Sequence, residues 1–370
     1  MTVFNDAQSS YKGFHMKIVS VGTSFPKYYY PQSEVTDFYL SKIWKNDSLD
    51  RHQLQKIHQN VQVSGRHFTL NLEEFSHVIG SLKQANQAWT TASQELGEQA
   101  LAAAFRLTPL DSHQIKAMFS TTVTGIATPS LEALLINRLK LPRSIKRIPM
   151  FGLGCLGGVA GVSRVADYLK GWKEDMAVLL AVELCSLTVQ PNDTSVVNMI
   201  STGLFGDGAS ALTAIGTNHP HYDLCDGPEI IATASILYDN TERLMGWEIV
   251  DSGFKLLLSP EVPYLIREKL RKNIDDFLQK NELSISDITS WICHPGGPKI
   301  LRAVQETLEL EDEKLHLTWK GLRQKGNLSS VSVLCTLKEM MENHRPPKET
   351  YGLMIAMGPA FCAEIILLKW

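Results

Sequence analysis

IPMFGLGCLGGVAGVSRVADYLKG, residues 148–171, sets a cysteine between an apolar run and a helical pattern. Ile148 to Leu153 reads as a buried strand. The chain then turns through Gly154, presents Cys155 and continues as a helix from Leu156. A thiol at a helix start meets unpaired backbone N–H groups and the positive end of the helix dipole, and both favour thiolate over thiol. Gly157, Gly158 and Gly161 lower intrinsic helix propensity, which implies a need for close backbone packing. A lone cysteine in such a place is more often a small buried hydrophobe. The glycines and two later segments tilt the reading toward a nucleophile.

Outward from this segment, strands and helices alternate. KIVSVGTSFP (17–26) reads as a first strand, and residues 31–60 as a polar, mostly helical stretch. An alanine-rich helix fills 85–106. KAMFSTTVTG (116–125) reads as a strand, followed by a helix over 128–140 with Thr128 as cap and Pro129 at its first position. MAVLLAVEL (176–184) has the unbroken apolar character of a strand buried on both faces. A turn followed by a strand falls at 203–216, a further strand at 230–239, an amphipathic helix at 264–281, and a final pair of strands after residue 350. This alternation predicts an α/β fold. Residues 217–228 form the one evident join, giving a leader at 1–16 and halves at 17–222 and 223–370.

The bulk numbers agree. At 370 residues the chain exceeds one typical domain, and 44% hydrophobic content suffices for a large core. A net charge of -3 gives no general pull toward nucleic acid or an anionic membrane. Six scattered cysteines without a CxxC pair argue against zinc and against a disulfide framework, and fit a cytoplasmic protein. No apolar signal region opens the chain. The most apolar region, 151–189, carries too many charges to span a membrane.

Two segments repeat the form of the Cys155 setting. WICHPGGPK puts His294 directly after an apolar strand, and GNLSS puts Asn327 just ahead of a helix. Singly, one is a turn residue and the other a helix cap. Together with Cys155 they supply a nucleophile, a proton-exchanging imidazole and an amide donor for an oxyanion.

GCLGG around Cys155, LFGDGA at 204–209, WICHPGGPKI at 291–300, GNLSS at 326–330 and MGPAF near the C-terminus are similar to the motifs of type III polyketide synthases. These are the chalcone-synthase-like, homodimeric condensing enzymes of thiolase fold. The resemblance runs from about residue 17 to 370. It implies duplicated αβαβα layered halves, with Cys155 accepting an acyl starter as a thioester. His294 and Asn327 would then hold the malonyl thioester carbonyl, and His294 would keep Cys155 ionised as an imidazolium–thiolate pair.

The same resemblance implies CoA thioesters as substrates and no metal or redox cofactor. It makes Phe205 either a gatekeeper between CoA tunnel and cavity or a core aromatic. Thr188 and Ser329 become cavity-lining residues or backbone-capping hydroxyls, and Thr128 reaches into a partner subunit's cavity. Arg51, Lys56 and Arg66 are the cations nearest the expected CoA phosphates.

Two departures stand out. Gly358-Pro359-Ala360 replaces a Gly-Pro-Gly loop, and Leu256 falls where plant members carry a second gatekeeper Phe. Leucine would open the neck toward a long aliphatic starter, and SGFKLLLSP resembles bacterial members of the family, which implies fatty acyl thioesters made into alkylresorcinols or alkylpyrones. Two other readings compete: a single-condensation ketoacyl synthase or acyltransferase fed by an acyl carrier protein, and a non-catalytic thiolase-fold scaffold.

Overall fold

A computed structural model describes residues 16–45 and 51–370. The expected leader therefore lies outside the described residues except for Met16, which opens the first strand. In the N-terminal half the strands are β1 Met16–Ser24, β2 Tyr28–Pro31, β3 Gly65–Phe68, β4 Ile115–Thr122, β5 Lys146–Phe151, β6 Met176–Leu184 and β7 Asp207–Ile215. Its helices are α1 Gln32–Phe38, α2 Arg51–Asn60, α3 Leu72–Val78, α4 Leu82–Arg106, α5 Leu131–Arg138, α6 Gly157–Gly171 and α7 Val196–Leu204. The C-terminal half has β8 Glu229–Leu237, β9 Met245–Val250, β10 Gly253–Leu258, β11 Ile288–Cys293, β12 Tyr351–Gly358 and β13 Cys362–Lys369. Between them run α8 Val262–Lys280, α9 Pro298–Leu308, α10 His316–Lys325 and α11 Ser330–Asn343.

Nine strands form one mixed sheet in the order β11-β12-β13-β8-β1-β7-β6-β4-β5. The two halves repeat one pattern. In the first, β4 runs parallel to β6, followed by antiparallel β7 and β1. In the second, β11 runs parallel to β12, followed by antiparallel β13 and β8. They join through a short β1–β8 contact, Met16 with Ile230 and Lys17 with Glu229.

Helices α6 and α11 fill the space between the halves, and their apolar faces share one core with both. Helices α4 and α5 cover the outer face of the first half, and α8 and α9 that of the second. This is the five-layered thiolase-like arrangement. Every residue of β6 and β7 is buried, as a strand covered on both faces requires. Each fully buried Leu, Ile or Val there stabilises the fold by about 1.5–3 kcal/mol.

Two expectations change. The run from Ile148 is not a buried strand: β5 is the outermost strand of the sheet, and its Phe151 is 56% exposed. An apolar run signals a strand but not its place in a sheet. Thr128 does not hold the N-cap of α5; Ser130 takes that position, without a side-chain cap bond, and Thr128 stays exposed in the preceding loop. Residues 245–258 form a two-stranded hairpin, β9 with β10, that carries part of the cavity wall. No helix among the described residues is long and apolar enough to cross a membrane.

Candidate functional site

The repeat explains why two helix starts meet. Helices α6 and α11 lie side by side between the halves, so the turn before each opens toward the same space. Cys155 sits in a short 3-10 turn, Gly154–Leu156, directly ahead of α6. Gly154 holds φ +54°, and a Cβ there would also press on the Pro359 ring at 2.7 Å, so only glycine fits.

His294 follows β11, held by its backbone N–H donating to the Ile355 carbonyl at 2.9 Å. Its side chain is 7% exposed, and neither ring nitrogen has a partner. Two buried, unpaired imidazole nitrogens at a cavity wall are poised for a ligand.

Asn327 is fixed from three sides. Its N–H donates to the Leu204 carbonyl at 2.8 Å, and its own carbonyl accepts from the Gly206 N–H at 3.0 Å. These make a single parallel β-bridge between Phe205 and Asn327. Its side-chain Oδ1 accepts from the Ser329 N–H at 2.8 Å, and this orients the amide NH2 the other way. That NH2 lies 3.5 Å from the Gly296 carbonyl and also acts on the Cys155 thiol as a hydrogen-bond donor.

Cys155, His294 and Asn327 all line one cavity of about 590 Å3. Asn60, Val196 and Lys299 are lining residues with exposed surface, and they mark its opening between α2, α7 and the start of α9. Deeper in, the wall is apolar, with Met245, Leu258, Val262, Ile266, Met357 and Phe361.

Burial governs the charges. It pushes the Cys155 thiol up to about 11; Glu183 pushes it further, while hydrogen bonds from Ser329 and Asn327 pull back. Burial alone pulls the His294 imidazole down to about 3. Burial thus favours neutral thiol and neutral imidazole, whereas the resemblance implies an imidazolium–thiolate pair. Glu183, behind the cavity on β6, is raised to about 7, again mainly by burial. It accepts from the Ser330 hydroxyl at 2.6 Å and the Val123 N–H at 3.1 Å.

Of the other expected residues, Phe205, Leu256 and Ser329 line the cavity. Thr188 does not; its hydroxyl donates to the Cys185 carbonyl at 2.8 Å, and it borders a small neighbouring cavity instead. Thr128 is exposed and outside the lining. Arg51 and Lys56 are exposed on α2, and neither lines the cavity.

Arg66 corrects the CoA reading. Its side chain is 0% exposed, and it donates to the Gln32 side chain and to the Thr202 and Gly203 carbonyls, out of reach of a phosphate at the opening.

The sequence reading missed Lys299, Cys185 and Trp247, which also line the cavity. Lys299 follows Gly296-Gly297-Pro298, a helix-start pattern that could have drawn attention. Trp247 needed the β9–β10 register, in which it faces Leu256.

A five-layered duplicated fold with a thiol, an imidazole and an amide on one apolar cavity defines a thiolase-like condensing enzyme. Residues 4–219 and 229–370 match the N-terminal and C-terminal domains of the chalcone and stilbene synthases, and the chain belongs to that family. It is thus an acyltransferase of the type III polyketide synthase kind, working by decarboxylative Claisen condensation.

A 1,3,6,8-tetrahydroxynaphthalene synthase of Streptomyces peucetius subsp. caesius is 42% identical over 353 residues, 95% of this chain and 93% of that protein. A Bacillus subtilis protein that carries a chalcone synthase name is 34% identical over 360 residues, 95% of this chain and 98% of its own. The crystal structure of 1,3,6,8-tetrahydroxynaphthalene synthase from Streptomyces coelicolor shares the fold, with TM-score 0.86 at 24% identity over 96% of this chain and 99% of its own.

Proposed function

We propose that Cys155 carries the growing acyl chain while His294 and Asn327 stabilise the enolate formed from malonyl-CoA. The Cys155 thiol gives its proton to His294, and the thiolate attacks the starter thioester. CoA leaves as thiolate and takes that proton back. A malonyl-CoA then enters with its thioester carbonyl toward His294 and Asn327. Loss of CO2 leaves its bonding pair on the α-carbon, delocalised onto the thioester oxygen, where N–H donors lower the barrier. The carbanion attacks the acyl-Cys155 carbonyl and expels the thiolate. The product is a CoA thioester longer by one ketide unit; the freed Cys155 thiolate attacks it to take the chain back, and the departing CoA thiolate is protonated from solvent. Electrons and protons balance without a redox cofactor or metal, so CoA thioesters suffice as reactants.

The observation that carries this reading is the convergence of Cys155, His294 and Asn327 on one cavity whose deeper wall is apolar. That wall supports a fatty acyl starter, with ring closure to an alkylresorcinol or alkylpyrone. A second reading, malonyl priming to a tetrahydroxynaphthalene, is favoured by the 42% identical relative of that name. Among the described residues no strand pairs with the outer edge of β5, which carries the exposed Phe151, and this supports a homodimer paired along that edge.

Mass spectrometry of products from malonyl-CoA alone, and with acyl-CoAs of graded length, tests the proposal. Alkylated pyrones or resorcinols are expected with long starters. A single naphthalene product without any starter would select the second reading. Turnover only with carrier-protein thioesters would select the ketoacyl synthase reading. No condensation from a folded protein would overturn the mechanism.

A further inference from the structure

The interior of the first half holds a cation that the reaction above does not use. Arg66 is 0% exposed, and among the described residues its hydrogen bonds go to an amide and two carbonyls, while the Asp207 carboxylate acts on it only through its charge. Burial lowers its guanidinium to about 10, so it stays charged at neutral pH. Its partners are backbone carbonyls at the C-terminal end of α7, Thr202 and Gly203 (2.9 Å to the latter), and the Gln32 side-chain oxygen. Gln32 in turn donates to the carbonyls of Gly203 at 2.9 Å and His58 at 3.2 Å. A cation on the unpaired carbonyls of a helix end is favourably placed. A surface lysine could do as much, so a buried arginine implies a demand for one fixed geometry, the recognised use of a buried ionic group.

That geometry lies one residue further on. After Gly203 comes Leu204, whose carbonyl receives the Asn327 N–H at 2.8 Å, and then Phe205, the bridge partner of Asn327. The aliphatic stem of Arg66 packs against both sides of this bridge. A Cβ built on Gly206 would stand 3.1 Å from the Arg66 Cβ, and one on Gly326 would stand 3.6 Å from its Cδ. Head and stem of one side chain therefore hold the helix end and the two glycines that flank Phe205 and Asn327.

We propose that Arg66 is a positioning residue for Asn327, fixing the α7 end so that the amide stays aimed at the enolate oxygen during decarboxylation. The proposal rests on the reading of Asn327 given above. An amide displaced by a fraction of an ångström loses transition-state stabilisation while substrate binding is little changed.

The test separates two half-reactions of the full chain. One is CO2 release from malonyl-CoA in a Cys155→Ala background; the other is acylation of Cys155 by hexanoyl-CoA, read by intact mass. Arg66→Met is expected to lower kcat for CO2 release by about 10–100-fold with KM within about threefold, and to leave acylation within about threefold. Arg66→Lys, which keeps the charge and loses the fork, is expected to recover part of the loss. Parallel loss of both half-reactions, or loss of neither, overturns the proposal. If Arg66→Met does not fold, Gln32→Leu must show the same split at about 3–10-fold, and failure to do so overturns it. Asn327→Ala is the control. If it leaves CO2 release intact, the reading of Asn327 falls and this proposal with it; if it abolishes release while Arg66→Met does not slow it, this proposal falls alone.

Discussion

Gly158 of α6 faces Ser330 of α11 so closely that a Cβ built on the glycine would stand 2.2 Å from the Ser330 carbonyl oxygen. This contact sets the distance between the two helix starts that carry Cys155 and Asn327. Gly158→Ala is expected to push the helices apart and destabilise the protein by about 3 kcal/mol. Urea unfolding of the variant checks the stability, and CO2 release from malonyl-CoA checks the site. An unchanged midpoint would show that the helices give way freely.

Ser330 also donates to Glu183, whose carboxyl burial raises from 4.5 to about 7. A raised native value means the folded protein holds the proton more tightly. Its stabilising contribution is complete below the unfolded value and lost as pH rises through about 7. Between about pH 5.5 and pH 8 wild type should lose ~2 kcal/mol that Glu183→Gln does not. Urea midpoints of both proteins at the two pH values give the double difference.

With the Cys155 thiol pushed up to about 11, iodoacetamide should alkylate it in the free enzyme with a rate that climbs with pH through the neutral range. The rise approaches about tenfold per pH unit where the thiol still holds its proton. Peptide mapping after timed exposure gives the profile. A plateau already reached at about pH 7 would mean that the thiolate–imidazolium pair stands in the free enzyme.

Trp247 and Leu256 face each other across the β9–β10 hairpin, and both line the cavity as well as the small one beside it. Trp247→Ala should join the two spaces and raise the preference for longer acyl-CoA starters. Leu256→Trp should reverse that preference. A shift of about tenfold in relative kcat/KM is the scale expected when a pocket gains or loses room for a few methylenes. Competition between two starters, read by product mass, measures it.

Much of this site was legible in the chain because its parts sit at element ends marked by glycine. GLGCLGG, CHPGG and GNLSS each announced a strand or helix boundary, and all three side chains reach one cavity. Arg66 was not legible: in a polar segment a buried arginine looks like a solvated one, and its partners come from Gln32 and from the α7 end far along the chain. The edge position of β5 was hidden for a related reason. Apolar content does not say whether a neighbouring strand exists. The β9–β10 hairpin gave only weak alternation, so the wall bearing Trp247 appeared only with the fold.

Ala360 stands in the loop after β12 with φ +59°, a conformation glycine takes without penalty and alanine does not. The residue is held there. Its N–H reaches the Met245 carbonyl at 3.4 Å, and its own carbonyl accepts from the Thr241 hydroxyl at 2.9 Å. Neighbouring Pro359 and Phe361 line the cavity, so the strain is borne by a piece of its wall. Ala360→Gly removes the Cβ clash and adds freedom to the unfolded chain, and the first effect outweighs the second at such a φ. The expected result is a gain of about 0.5–1 kcal/mol in urea unfolding, with the product pattern unchanged. A loss of stability would mean that the Ala360 methyl makes packing contacts worth more than the backbone strain.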